Sequence, residues 1–332
     1  MPSRAHLVDT HGRTVRDLRI SVTDRCNLRC TYCMPAEGMP WLPHEQILTY
    51  EEIVRIARVA VECGVTGVRL TGGEPTVRRE LATLVRQLRA LSPALDLSIT
   101  TNGIKLAEMA AELREAGLSR VNISLDTLVR ERFVQIARRD RLADVLMGID
   151  AARRAGFAPI KINTVLMRGF NDDEIVSLAG WARDEGLELR FIEWMPLDFQ
   201  QKWDREKLVS AAETHDAIHA VYPLEPEEGD DPSAPARPWR YCDGKGRVGF
   251  VGSVSNPFCG SCDRIRLTAD GQVRTCLFAL KEWDFRALLR SGADDDALEQ
   301  LLRDAVLRKQ PGHLIGQAEF RQPERGMSSI GG

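Results

Sequence analysis

The chain has 332 residues, of which 43% are hydrophobic and 28% charged, with a net charge of −3. That length supports a main domain with a large core plus an appendage, and the near-neutral balance excludes nucleic acid or a membrane as partners held by global charge. No apolar run approaches the ~20 residues of a membrane span, and the N-terminus MPSRAHLVDTHGRTVRD is too charged for a signal peptide, so a cytoplasmic protein with reduced thiols is expected.

In chain order, six short β-branched or apolar segments read as strands: 17–23, 67–72, 95–102, 120–126, 160–167 and 187–195. Amphipathic runs such as TYEEIVRIARVAVECGV and LAEMAAELREAGL separate them, and each ends at a glycine suited to a helix C-cap. The alternation predicts an α/β fold whose parallel sheet curls into a partial (βα)6 TIM-like barrel. Side chains alternate across a strand. One face then carries Arg19, Ser21 and Thr23, Arg69 and Thr71, Ser98, Thr100 and Asn102. It continues with Asn122, Ser124 and Asp126, Lys161 and Asn163, and Arg190 in company with Ile192 and Trp194. A solvent-facing sheet would account for this in an antiparallel fold, but parallel sheets are covered on both sides. The preferred reading is an open barrel whose lumen binds an anion through Arg19, Arg69, Lys161 and Arg190.

The first strand runs into TDRCNLRCTYCMP, which holds Cys26, Cys30 and Cys33. Without an oxidising compartment, metal is a better reading than disulfides. Three thiolates are one ligand short of a structural zinc shell. They suit an iron–sulfur cluster with one iron left open for another ligand. The second strand ends in Thr71-Gly72-Gly73-Glu74-Pro75, where two glycines would let a ligand reach free backbone N–H and C=O groups.

After Tyr222 the chain changes character, so the predicted divisions are 1–222, an acidic Pro-rich loop or linker over 223–239, and a C-terminal region over 240–332. That last region begins with hairpin-like alternation and carries Cys259, Cys262 and Cys276, either a zinc knuckle with a distant fourth ligand or a second cluster. In Arg264-Ile265-Arg266 an extended backbone puts both guanidiniums on one side, suited to phosphate oxygens. ADDDALEQLLRDAVLRK reads as a helix, and GQAEFRQPERGMSSIGG as a tail that is mobile or held only by docking.

The pairing of C-x3-C-x2-C with GGEP resembles the radical S-adenosylmethionine superfamily. With RLTGGEP, TTNG, NISLD, RFIEWMP, the CGSCDRIRLTADGQVRTCLF block and the terminal Gly-Gly, the likeness extends over nearly the whole chain to the GTP 3′,8-cyclase family of molybdenum cofactor biosynthesis. The resemblance implies a lyase with two 4Fe–4S clusters, on Cys26, Cys30 and Cys33 and on Cys259, Cys262 and Cys276. Tyr32, Gly73, Ser124 and Met195 would contact S-adenosylmethionine. Arg19, Arg69, Thr100, Lys161, Arg264, Ile265 and Arg266 would hold GTP. The tail, Gly331 and Gly332, would enter the active site, where its carboxylate could meet Arg190 or Lys161. The implied reaction has a 5′-deoxyadenosyl radical take hydrogen from ribose C3′, after which the carbon radical attacks guanine C8. GTP and an electron donor are the implied partners, and a homodimer is left open. The rival readings are a radical peptide-modifying enzyme with an auxiliary cluster and a zinc-stabilised binding protein.

Overall fold

The computed structural model describes residues 4–227 and 231–331. Its first half alternates strand and helix: β1 Asp17–Ser21, α1 Tyr50–Glu62, β2 Gly67–Thr71, α2 Leu81–Leu91, β3 Asp96–Thr101 and α3 Leu106–Glu115. Then follow β4 Arg120–Ser124, α4 Arg130–Ala137, α5 Leu142–Arg154, β5 Lys161–Leu166, α6 Ile175–Asp184 and β6 Glu188–Glu193. All six expected strands are present, each shorter than its apolar segment.

Local sequence explains the helices. Thr49 caps α1 by accepting from the Glu52 N–H at 3.2 Å, while Glu52 accepts from the Thr49 N–H at 2.8 Å, a capping box. Ile53, Ile56, Ala57, Val59 and Ala60 form its buried face. Gly64 follows in the left-handed region at φ +95°, which a residue with a Cβ rarely adopts. On the sheet's outer side, Leu18, Ile20, Val68, Leu70, Leu97, Ile99, Val121 and Ile123 pack under the helices in one continuous core. The alternation read from the sequence thus separates core from lumen.

The C-terminal region departs from its hairpin-like reading. Past α7 Ala211–His219 come β7 Leu224–Pro226, β8 Arg237–Tyr241, β9 Arg247–Val251, β10 Arg264–Leu267, β11 Gln272–Arg274 and β12 Trp283–Asp284. Consecutive strands do pair antiparallel, β7–β8–β9 and β10–β11–β12. However, β9 also pairs parallel to β6, and β10 parallel to β1. The parallel run is therefore β10-β1-β2-β3-β4-β5-β6-β9 within a single 12-stranded sheet. β9 ends beside the top of β6, with Val251 opposite Ile192, and β10 begins beside the foot of β1, with Arg264 opposite Asp17. Residues 252–263 must consequently descend across the gap between the barrel's two edges.

The stretch read as an acidic loop is structured at both ends, since β7 pairs with β8 (Leu224 with Tyr241, Pro226 with Trp239). Ser233 and Ala236 are buried. The last elements are α8 Phe285–Arg290, α9 Asp295–Leu307 and α10 Met327–Ile330. Helix α9 is capped by Asp294 and packs outside the barrel on α1, where Arg55 and Arg58 pair with Asp295 at 2.8 and 2.5 Å. Among the described residues no helix is long and apolar enough to cross a membrane.

Candidate active site

Cys26, Cys30 and Cys33 follow β1 at the C-terminal end of the barrel, where ligands of βα barrels bind. Their loop is fixed by the turn after β2. The Gly73 N–H donates to Thr23 O and the Glu74 N–H to Arg25 O, both at 2.8 Å. A Cβ on Gly73 would stand 2.5 Å from the carbonyl oxygens of Asp24 and Arg25. These N–H groups are therefore taken up within the protein, contrary to the expectation that they would be free for a ligand. The glycines are needed because the cysteine loop's backbone lies against them. Glu74, buried in this turn, ties it to the end of β3 by accepting from Thr101 Oγ1 and the Asn102 N–H, both at 2.6 Å.

Burial raises all three of these thiols: Cys26 to about 12, with Glu74 adding to the shift, Cys33 to about 11, and Cys30 well above the usual range. The Tyr32 hydroxyl donates to Asp126 Oδ2 at 2.8 Å, and burial pushes that carboxyl up to about 6.

The second triad is assembled from separated segments. Cys259 and Cys262 lie in the descending connector and Cys276 just after β11. Lys309 and Arg13, neither prominent in the sequence, brace them. Lys309 Nζ donates to Arg264 O at 2.7 Å, Thr275 O at 2.5 Å and Cys262 Sγ at 3.5 Å. Arg13 donates to Cys259 O at 2.7 Å, Gln310 O at 2.7 Å and Pro311 O at 2.9 Å. Burial would raise the Cys262 thiol, but Arg264 and Lys309 outweigh it and bring it down to about 7. In both triads a backbone N–H two residues on donates to sulfur at 3.4 Å, Leu28 to Cys26 and Phe278 to Cys276.

All six cysteines line one cavity, and none is in a disulfide. Arg19, Arg69, Arg190, Arg264 and Arg266 line it too, with Tyr32, Gly73, Thr100, Ser124 and Met195. Register decides how these cations sit. Arg266 is opposite Arg19, and Arg19 opposite Arg69, so three guanidiniums form a row across β10, β1 and β2. Like charges directly opposed in a sheet are destabilising. Among the described residues no carboxylate forms a salt bridge with this row or with Arg264. Nε of Arg19, Nε of Arg69 and Nη2 of Arg264 are buried donors without a partner there. Burial, and then the charge of Arg19, holds Arg69 and Arg266 below the usual arginine range.

Other expected residues sit differently. Lys161 is buried and bonded to Glu188 at 3.5 Å, and Arg190 and Arg247 pair with the same carboxylate at 2.6 and 2.9 Å, so each has an ionic partner but one anion is shared by three cations. Ile265 is fully buried in the core on the opposite face of β10 from the two arginines. The tail is docked: Ile330 is buried, Arg266 Nη1 donates to Gly331 O, and a Cβ on Gly331 would collide with Thr71 Oγ1 at 2.4 Å. The described part of the tail therefore meets Arg266 and not Arg190 or Lys161. Gly332 lies outside the described residues.

Residues 20–182 match the Radical SAM superfamily, and residues 187–315 match Molybdenum Cofactor Synthesis C. The GTP 3′,8-cyclase of Mycobacterium sp. (strain KMS) is 52% identical over 100% of this chain and 95% of its own length. The chain belongs to the GTP 3′,8-cyclase family. A second member, the GTP 3′,8-cyclase of Streptomyces coelicolor, is 51% identical over 98% of this chain and 96% of its own. Streptococcus suis SuiB, solved bound to S-adenosylmethionine, shares the fold with a TM-score of 0.62 and 16% identity, covering 95% of this chain and 77% of SuiB.

The resemblance read from the sequence points to the cysteine triads and to these arginines. It leaves Glu74, Asp126, Arg13 and Lys309 to be found in the structure. Asp126 had a signal, its place on the polar strand face. Glu74 had one in the GGEP motif, whereas Arg13 and Lys309 had none.

Proposed function

We infer that this chain is a radical S-adenosylmethionine lyase that converts GTP to (8S)-3′,8-cyclo-7,8-dihydroguanosine 5′-triphosphate, the first step of molybdenum cofactor biosynthesis. One observation carries the reading: two triads of free thiols open into the same cavity, walled by a row of guanidiniums with no carboxylate partner among the described residues. A polyanion is the ligand that would relieve that row, and arginine suits it because its planar donors match phosphate oxygens. The peptide-modifying alternative lacks such support, since a peptide backbone does not call for three opposed cations. A zinc-stabilised binding protein would not need two incomplete thiolate shells facing one cavity.

The chemistry of each donor set fits a 4Fe–4S cluster held by three cysteines with one iron open. Bound together, the first cluster and S-adenosylmethionine supply hydrogen abstraction from an unactivated carbon, here C3′ of the ribose. Gly73, Ser124, Met195 and the Tyr32 loop line the cavity beside the first triad and would hold S-adenosylmethionine. Tyr32 is kept in place by Asp126. Arg19, Arg69, Arg264 and Arg266 would bind the triphosphate, with Thr100 and Arg190 on the wall nearby. Lys161 would contribute through net charge, since it, Arg190 and Arg247 outnumber the carboxylates Glu188 and Glu227 that they pair with. Fixing the triphosphate leaves the ribose and base with little freedom, which favours abstraction at one carbon and closure onto C8. The docked tail would help exclude water from the cavity. An external donor must supply the electron, and eight free thiols suit the reducing cytoplasm.

The test is an anaerobic reaction with reductant, S-adenosylmethionine and GTP deuterated at C3′. Deuterium in the 5′-deoxyadenosine is expected. Product formed with no label transferred would overturn the assignment of the abstraction site.

A further inference from the structure

We propose that Lys309 is a positioning residue for the second cluster, clipping together the segments that carry Cys262 and Cys276 and placing an unbalanced positive charge against the cluster's sulfur. The inference rests on the reading that Cys259, Cys262 and Cys276 hold a cluster. Lys309 lies two residues past α9 and is only 3% exposed. A lysine ammonium has three N–H donors, and here each has an acceptor: Arg264 O, Thr275 O and Cys262 Sγ. Arg264 is two residues after Cys262, and Thr275 immediately precedes Cys276. One side chain thus joins the connector to the strand end that completes the triad.

The charge is the second half of the argument. Arg13 braces the same region through Cys259 O, Gln310 O and Pro311 O, but its guanidinium is balanced by Asp9 at 2.6 Å. Lys309 forms no salt bridge with a carboxylate among the described residues. A buried charge is costly unless an opposite one offsets it. The anion nearest to hand is the thiolate of Cys262 when it ligates iron. Gly312 completes the support, because a Cβ there would press on Cys259 Cβ at 3.1 Å. A cation and an N–H donor at a ligating sulfur favour the reduced, more negative state of a cluster, so Lys309 raises the potential of the second cluster.

The experiment uses the full chain, reconstituted anaerobically, as wild type, Lys309→Gln and Lys309→Arg. Iron content and a potentiometric titration followed by electron paramagnetic resonance are the readouts. The first cluster is identified by the signal that survives in Cys276→Ser. Lys309→Gln keeps an N–H donor and removes the charge. At fixed potential its second cluster should show about a tenfold lower ratio of reduced to oxidised form, a downward shift of about 59 mV for one electron. The first cluster should not move, and Lys309→Arg should restore the wild-type midpoint. Selective loss of the second cluster in the glutamine variant, with retention in the arginine variant, also supports the role. A second-cluster midpoint unchanged by Lys309→Gln overturns it, as does loss of both clusters in both variants. Wild type holding iron for one cluster only, roughly four atoms, would instead overturn the reading beneath the inference.

Discussion

The two cysteine triads face the same cavity but differ in how many segments of chain build them. Cys26, Cys30 and Cys33 lie in one loop, held by backbone hydrogen bonds to the Gly73–Glu74 turn and by Arg29 and Arg138, which donate to the carbonyls of Cys26 and Met34. Cys259, Cys262 and Cys276 come from a connector and a strand end, and buried cations hold them. Their electrostatics differ at one thiol. Burial raises Cys26 to about 12 and Cys33 to about 11, and raises Cys276 as well, whereas Arg264 and Lys309 bring Cys262 down to about 7. Metal binding requires deprotonated thiols. In the gathered site, the charges that close it also favour the thiolate of Cys262.

The largest effect that would test this contrast is on the first triad. Cys30→Ser should remove its cluster and abolish both cleavage of S-adenosylmethionine and cyclised product, a loss of at least ~10³-fold that matches removal of a mechanism's central group. Measurable cleavage by this variant would contradict the division. Cys276→Ser should also stop product formation, yet retain the first cluster and part of the reductive cleavage. Loss of both clusters in that variant would mean the triads are not independent.

A smaller, more selective effect is expected at the turn. Gly73→Ala forces a Cβ onto Asp24 O and Arg25 O, so the cysteine loop must shift, at a cost of roughly 1–3 kcal/mol. Iron analysis should show the first cluster depleted and the second retained. Equal depletion would show that the turn supports the fold generally and not the first triad.

The shared cavity wall comes next. Arg264→Ala and Arg266→Ala should each weaken GTP binding by about ten- to a hundredfold, since a charge-assisted bond is worth roughly 1.5–3 kcal/mol. S-adenosylmethionine binding should change little. Isothermal titration of both ligands decides it, and wild-type GTP affinity would remove these arginines from the phosphate site.

The smallest effect is a pH dependence. Burial, then the charge of Arg190, lowers Lys161 to about 8 against the pull of Glu188. A lysine loses its charge as pH rises through its pKa, and a bound anion raises that pKa. GTP affinity should therefore be level below about pH 7, begin to fall as pH approaches 8, and fall about threefold from 8 to 9. Lys161→Met should be weaker throughout and flat. A flat wild-type profile would separate Lys161 from substrate binding.

The sequence by itself determined the barrel's six strands, their two faces and the first triad. Strand parity is a local property, so Arg19, Arg69, Ser124 and Asn163 could be placed on the lumen side from the order of residues alone. The first triad lies within eight residues, too short a span for tertiary structure to rearrange its spacing. Only the tertiary structure decided that β9 and β10, separated by twelve residues, would join opposite edges of the sheet. That placement puts Arg266 opposite Arg19 and makes a cation row of what looked like separate residues. It likewise decided that Lys161 and Arg190 would share Glu188 while no carboxylate among the described residues bridged to the row, and that Lys309 and Arg13 would close the second triad. Arg13 meets Cys259 across 246 residues and Lys309 meets Cys262 across 47. No periodicity records such pairs, because strand and helix patterns reflect which face is buried and not which distant segment covers it.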